Sequence, residues 1–123
     1  MSTLKVNTIQ NTSAAHSSTP EQIAQGRVKA WVVSDKDGGI LDSFGISTVT
    51  DLNNNGEDYR VSFSVPFSNT NYAVCASANN TNDVGAQVFI DTKLAGSFIA
   101  NVRTTGGESN KENSGFACIV FFF

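Results

Sequence analysis

From Arg27 onward apolar and polar residues alternate with a period of two, the spacing of a β-strand whose two faces meet different surroundings. The clearest case sets Tyr59, Val61, Phe63 and Val65 against Arg60, Ser62 and Ser64, which predicts a half-buried strand ended by Pro66. Further strands are predicted over Lys29 to Val33, Ile40 to Phe44, Ile46 to Leu52, Asn71 to Ala78, Val84 to Thr92 and Ser97 to Thr105. In the last of these, Phe98, Ala100 and Val102 share one side. Turn-forming residues separate the runs: Asp35 to Gly39, Asn53-Asn54-Asn55-Gly56, Asn79 to Asp83, Leu94-Ala95-Gly96, and Gly106 to Ser114. Gly45 interrupts two strands as a bulge or bend. Many short strands with almost no helix predict an all-β fold, an antiparallel β-sandwich of jelly-roll-like type.

The end of the chain breaks the alternation. Over Gly115 to Phe123, Phe116, Cys118, Val120 and Phe122 interleave with Ala117, Ile119, Phe121 and Phe123, so both faces of a strand there are apolar. Such a segment is unstable in water and predicts a closing strand held in the core or against other copies of the chain. Phe121, Phe122 and Phe123 are therefore the candidate oligomer interface.

Residues 1–26 follow other rules. Met1 to Gln10 alternates weakly, with Leu4, Val6 and Thr8 on one side and Lys5 and Asn7 on the other, and Asn11 to Ser18 reads as a polar linker. Thr19, Pro20, Glu21 and Gln22 then form a helix-start signal resembling a capping box, and Gly26 is the stop. One or two turns of helix are unstable alone. The expected organisation is an N-terminal arm with one short helix over residues 1–26 and a β-sandwich domain over residues 27–123.

Composition narrows the function. At 123 residues the chain has the size of one domain, with only 15% charged residues and a net charge of −3. Its eight Lys and Arg residues are scattered, which argues against nucleic-acid binding, since phosphate neutralisation needs clustered cations. No apolar run approaches the roughly 20 residues that span a bilayer, and the N-terminus lacks the order of a signal peptide, so the expectation is a soluble chain made in the cytoplasm.

No set of residues predicts catalysis. Asp35 and Asp37 share one loop and Glu57 and Asp58 another, but glycosidic chemistry needs two carboxylates across a cleft, one of them desolvated. His16 is the only histidine and lies in the linker, which leaves His-dependent triads and metal sites without partners. Asp51 to Gly56 opens like a calcium loop, yet Ser62 stands where the closing Glu belongs, and an Asn-Gly hairpin is the simpler account. Gly38-Gly39 and Gly106-Gly107 are turns without a following phosphate-binding helix. The expectation is a non-enzyme with no cofactor and no metal.

Cys75 and Cys118 both fall in apolar strands, which predicts two buried thiols, with a disulfide as the alternative. Trp31, Tyr59 and Tyr72 could stack on a sugar if exposed together, though packing is the commoner fate at strand positions.

Met1-Ser2-Thr3-Leu4-Lys5-Val6-Asn7-Thr8-Ile9-Gln10-Asn11 resembles the opening of tail-fibre-like structural proteins of tailed bacteriophages. Ser17-Ser18-Thr19-Pro20-Glu21-Gln22-Ile23 and Gly26-Arg27-Val28-Lys29-Ala30-Trp31-Val32 are similar to small virion proteins of phages infecting marine cyanobacteria. Ile40 to Val49, Gly56 to Phe63 and Asn71-Tyr72-Ala73-Val74 resemble the same group more loosely. The resemblance implies a virion location after assembly in the host cytoplasm, a homo-oligomer, commonly a trimer, and contacts with other tail or capsid proteins. It assigns virion anchoring to Leu4, Val6 and Ile9. Tail fibres carry a long shaft and a receptor-binding tip for which this length leaves no room, so a capsid decoration (cement) role is the alternative. A receptor-binding lectin-like domain that takes a host surface polysaccharide is the alternative of another class.

Overall fold

The computed structural model describes residues 2, 5, 7–10, 17–18, 20, 27–53, 58–79, 86–104 and 115–122. Among these residues ten strands run in chain order: β1 (Ile9–Gln10), β2 (Ser17–Ser18), β3 (Val28–Ser34), β4 (Ile40–Phe44), β5 (Ile46–Asp51), β6 (Asp58–Phe63), β7 (Tyr72–Ala78), β8 (Ala86–Leu94), β9 (Ser97–Thr104) and β10 (Phe116–Phe122). The last eight divide into two antiparallel four-stranded sheets, β4-β3-β10-β7 and β5-β6-β9-β8, packed face to face. This is the β-sandwich expected from the period-two pattern. The predicted helix after Thr19 lies outside the described residues, apart from Pro20.

Local hairpins make three of the pairings, β3 with β4, β5 with β6, and β8 with β9. Long-range closure makes the other three, β10 with both β3 and β7, and β6 with β9. The turn residues set the hairpins. In the first, the Asp35 carboxylate accepts hydrogen bonds from the amides of Asp37 (3.0 Å) and Gly39 (2.6 Å), so a side chain replaces a strand partner where the backbone reverses. In the second, the Leu52 amide donates to the Asp58 carbonyl (2.8 Å). A single residue, Gly45, carries the chain from β4 in one sheet to β5 in the other. Its φ is +70°, and a Cβ there would sit 2.8 Å from the Lys29 carbonyl oxygen, so only glycine fits the crossing without strain.

Between the sheets the alternating apolar residues interlock. Ala30, Val32, Tyr72, Phe116, Cys118 and Val120 come from one layer, and Ile46, Tyr59, Val61, Phe63, Phe98, Ala100 and Val102 from the other, all buried. An aromatic cluster fills one end: Phe63 meets Phe67, Tyr72 and Phe98 at centroid distances of 4.6, 5.3 and 5.9 Å. Tyr72 ties the layers together, because its hydroxyl lies 3.0 Å from the Leu94 carbonyl and 2.9 Å from that of Ser97, across the sandwich. Tyr59 does the same at the other end, donating to the Lys36 carbonyl at 2.6 Å and stapling the β3–β4 turn to the core.

Three expectations are corrected. The strand predicted through Val65 ends at Phe63, and Val65 is 76% exposed, because the Ser64 and Phe67 amides bond to Gly45 and Ala95 rather than continue the ladder. Leu94, assigned to a turn, ends β8 instead. Ser17–Ser18, read as linker, pairs antiparallel with Ile9–Gln10, a two-residue ladder too short for any periodicity to reveal.

Candidate functional site

The outer face of the β4-β3-β10-β7 sheet is the unusual surface of the molecule. Because β10 alternates without interruption against β7, its residues Phe116, Cys118 and Val120 point into the sandwich and Ala117, Ile119 and Phe121 point out. The register aligns the outward positions of all four strands. Phe44, Trp31, Ile119 and Cys75 form one row straight across the sheet. Asp42, Val33, Ala117 and Ser77 form the row beside it, and Val28, Phe121 and Ala73 flank the other side. Asp42 is the one charged residue in these three rows, and Lys29, outward on β3 two positions before Trp31 and beside Phe44, adds a cation to the same face. Phe44 is 59% exposed and Ile119 43%, and Trp31 is half-buried beside them. Over the small side chains of β7 and β10 the face dips into a shallow depression of about 250 Å³ lined by Cys75, Ser77, Ala117 and Ile119.

The opposite outer face behaves as an ordinary solvated sheet surface. Its rows read Thr50, Arg60, Ile99, Asp91, then Asp58, Asn101, Phe89. Arg103 and Asp58 form a 2.8 Å ion pair there. An antiparallel sheet that faces water carries polar residues outward, as this one does. The first sheet breaks that rule.

Among the predicted interface residues, Phe121 lies on this apolar face. Phe122 points the other way: its ring stacks on Phe67 at 4.9 Å with an interplanar angle of 9°, partly buried against the chain's own core. The side chain of Phe123 lies outside the described residues, as do Leu4 and Val6, and of Ile9 only the backbone pairing with Ser18 is described. Sequence reasoning passed over Phe44 as part of the face. The signal was the spacing of Trp31 and Ile119, both outward on apolar strands, with Phe44 two positions after Asp42 on the adjoining one.

The cysteine expectation is half corrected. Cys118 is buried and Cys75 exposed, and both are free thiols. Odd and even positions of a strand point to opposite faces, which sends Cys75 outward with Ala73 and Ser77 while Cys118 faces the core. Burial pushes the Cys118 thiol up to about 12.

The three aromatic residues that could have formed a sugar platform are not presented together. Tyr59 and Tyr72 are buried with their hydroxyls bonded to carbonyls, and Trp31 lies on the outer face beside Phe44. Burial pushes Tyr72 up to about 12. Burial, followed by the negative charges of Asp51, Asp37 and Asp35, raises Tyr59 further still. The loop acids hold their own loops: Asp35 caps its turn, Asp51 accepts from the Asn53 backbone amide at 3.1 Å, and Asp58 accepts from the Asn53 side-chain Nδ2 at 2.8 Å. The calcium-like segment Asp51 to Gly56 continues beyond the described residues at Asn54, and His16 also lies outside them. No group of three metal-ligating side chains occurs among the described residues.

A second hollow, about 570 Å³, lies where edge strands β7 and β8 meet, lined by Tyr72, Val74, Ile90, Asp91 and Lys93. Lys93 is engaged there, donating to the Tyr72 carbonyl at 2.6 Å with its ammonium 4.9 Å from the Tyr72 ring. It is a buttress between the sheet edges. The arrangement as a whole presents a largely apolar sheet surface bordered by Asp42 and Lys29. Compared with protein-family models, with curated proteins and with solved structures, the chain finds no match.

Proposed function

We propose that this chain is a virion structural protein of a tailed bacteriophage, a tail-fibre-like appendage subunit that self-assembles through its β domain and holds the particle by its N-terminal segment. The observation that carries the assembly half of this reading is the apolar outer face with Phe44, Trp31 and Ile119 in one row. A surface of that kind is costly to leave in water and useful only when another surface covers it. The virion setting rests on the resemblance of the leading residues, with Leu4, Val6 and Ile9 as the anchoring side chains and three copies as the expected number. A neutral, Ser/Thr/Asn-rich exterior suits a closed homo-oligomer that covers its apolar seams and presents the remainder to solvent.

Labelled imaging of intact particles with an antibody to the β domain tests the setting. Label at the tail supports the reading, label over the head shell assigns the chain to capsid decoration, and particles without label sink both.

A further inference from the structure

We infer that Lys93 guards the open edge of β7, keeping that strand from pairing with β7 of a second copy. The inference goes beyond the proposed function and stands whether or not the chain belongs to a virion.

β7 is the last strand of its sheet, and among the described residues no strand pairs with its outer edge. Backbone parity decides which groups lie there. In an antiparallel ladder the N–H and C=O of one residue point to the same neighbour, and those of the next residue point to the opposite side. The Asn79 amide donates to the Gly115 carbonyl, on the β10 side, at 2.7 Å. Ser77, Cys75 and Ala73 follow it toward β10, which leaves the N–H and C=O groups of Tyr72, Val74, Ala76 and Ala78 along the open edge. Such a row is a template for a further strand. Tyr72–Ala78 carries no charge of its own, so β7 does not repel a partner. Two copies related by a two-fold axis beside Cys75 would pair over their full length, Tyr72 with Ala78 and Cys75 with Cys75.

Protection comes from the facing strand. β8 is the edge of the other sheet, and its ladder with β9 slips between Asp91 and Leu94. Thr92 at the slip has a φ of +31°, a costly conformation for a β-branched residue, and the Asp91 carboxylate accepts bonds from its amide (2.6 Å) and its hydroxyl (3.2 Å). The bulge aims the next side chain across the hollow between the two edges. There the Lys93 ammonium donates to the Tyr72 carbonyl at 2.6 Å, with the Tyr72 ring centroid 4.9 Å away. An incoming strand would find the first acceptor of the row taken and would have to bury the ammonium against its own backbone. A lysine here excludes a strand that a neutral side chain would admit.

Lys93→Met removes the charge and keeps the stem. In the full-length chain it is expected to raise the native mass above that of wild type at equal concentration. It should also slow hydrogen exchange at the Val74, Ala76 and Ala78 amides, which is expected to be fast in wild type. Opposed residues of a non-hydrogen-bonded pair sit about 4.5 Å apart at Cα, so diamide should bridge Cys75 of one Lys93→Met chain to Cys75 of another. Lys93→Arg, which keeps the cation, should behave as wild type. Three results overturn the inference: Lys93→Met folded but unchanged in mass and exchange, Lys93→Arg associating as Lys93→Met does, or those three amides already protected in wild type. If Lys93→Met unfolds by circular dichroism, Lys93→Gln, neutral yet able to donate to the Tyr72 carbonyl, is read in the same way. Unfolding of both makes Lys93 a requirement of the fold and equally refutes the guard. A wild-type mass of 13.1 kDa sinks the self-assembly of the proposed function and leaves this inference standing.

Discussion

At the scale of single residues, Gly45 and the two tyrosines make the most specific demands. Replacing Gly45 by Ala forces a side chain into a φ of +70° and against the Lys29 carbonyl. The backbone penalty alone is about 1–2 kcal/mol, so chemical denaturation of Gly45→Ala should show a lower midpoint by at least that equivalent. Tyr72→Phe keeps the ring and removes only the hydroxyl that reaches the Leu94 and Ser97 carbonyls. Leaving those acceptors without their donor costs about 1–3 kcal/mol, seen as a melting temperature lower by several degrees with an unchanged circular dichroism spectrum at 20 °C or so.

The tyrosines also set a pH limit. Both folded-state values are raised, Tyr72 to about 12, so folding favours the protonated phenol. The stability they contribute is complete below the unfolded value of 10.0 and is lost as pH climbs from there through the folded values. Cys118 acts with the same sign from 9.0 upward. Tyrosinate absorbance is therefore expected to appear in one cooperative step together with loss of the β spectrum, well above pH 10. A smooth titration centred at pH 10 in a chain that remains folded would mean that the phenols are solvated.

At the scale of elements, β10 is the strand on which the two faces diverge. Phe122 belongs to the core through Phe67, and Ile119 belongs to the outer row. Phe122→Ala should lower stability by about 1–3 kcal/mol, less than a fully buried phenylalanine would cost, and leave the native mass unchanged. Ile119→Lys should do the reverse, reducing the mass of the assembly with little change in the melting of the isolated domain. The eight domain strands were legible in the sequence because a period of two needs only side-chain polarity to be seen, and Phe98, Ala100 and Val102 landed on the face assigned to them. Strand ends were less legible where hydrogen bonds between loops decide them, as for Val65. The apolar face was legible only in part. Sequence shows that β10 is greasy on both sides, but the alignment of Phe44 with Trp31, Ile119 and Cys75 depends on the long-range register of β10 between β3 and β7, which no local pattern encodes.

At the scale of the whole molecule, the two sheets have shared interiors and unlike exteriors. One outer face carries Arg60, Asp58, Asp91 and Arg103 around Ile99 and Phe89, whereas the other carries Trp31, Val33, Phe44, Ile119 and Phe121 with Asp42 and Lys29 as its charges. That asymmetry is the observation from which the proposed self-assembly is argued. Its turn carboxylates are engaged in holding loops and its phenols in joining layers, and the exposed apolar row is the feature on which the proposed self-assembly rests. The leading segment, with Leu4, Val6 and Ile9, supplies the second attachment in the proposed role on the particle.

Sedimentation equilibrium of the unmodified chain in dilute neutral buffer bears most directly on the central claim. A two- or threefold multiple of 13.1 kDa that falls to the single mass in Phe44→Lys is the predicted result. A wild-type mass of 13.1 kDa at every concentration up to the millimolar range would contradict the account.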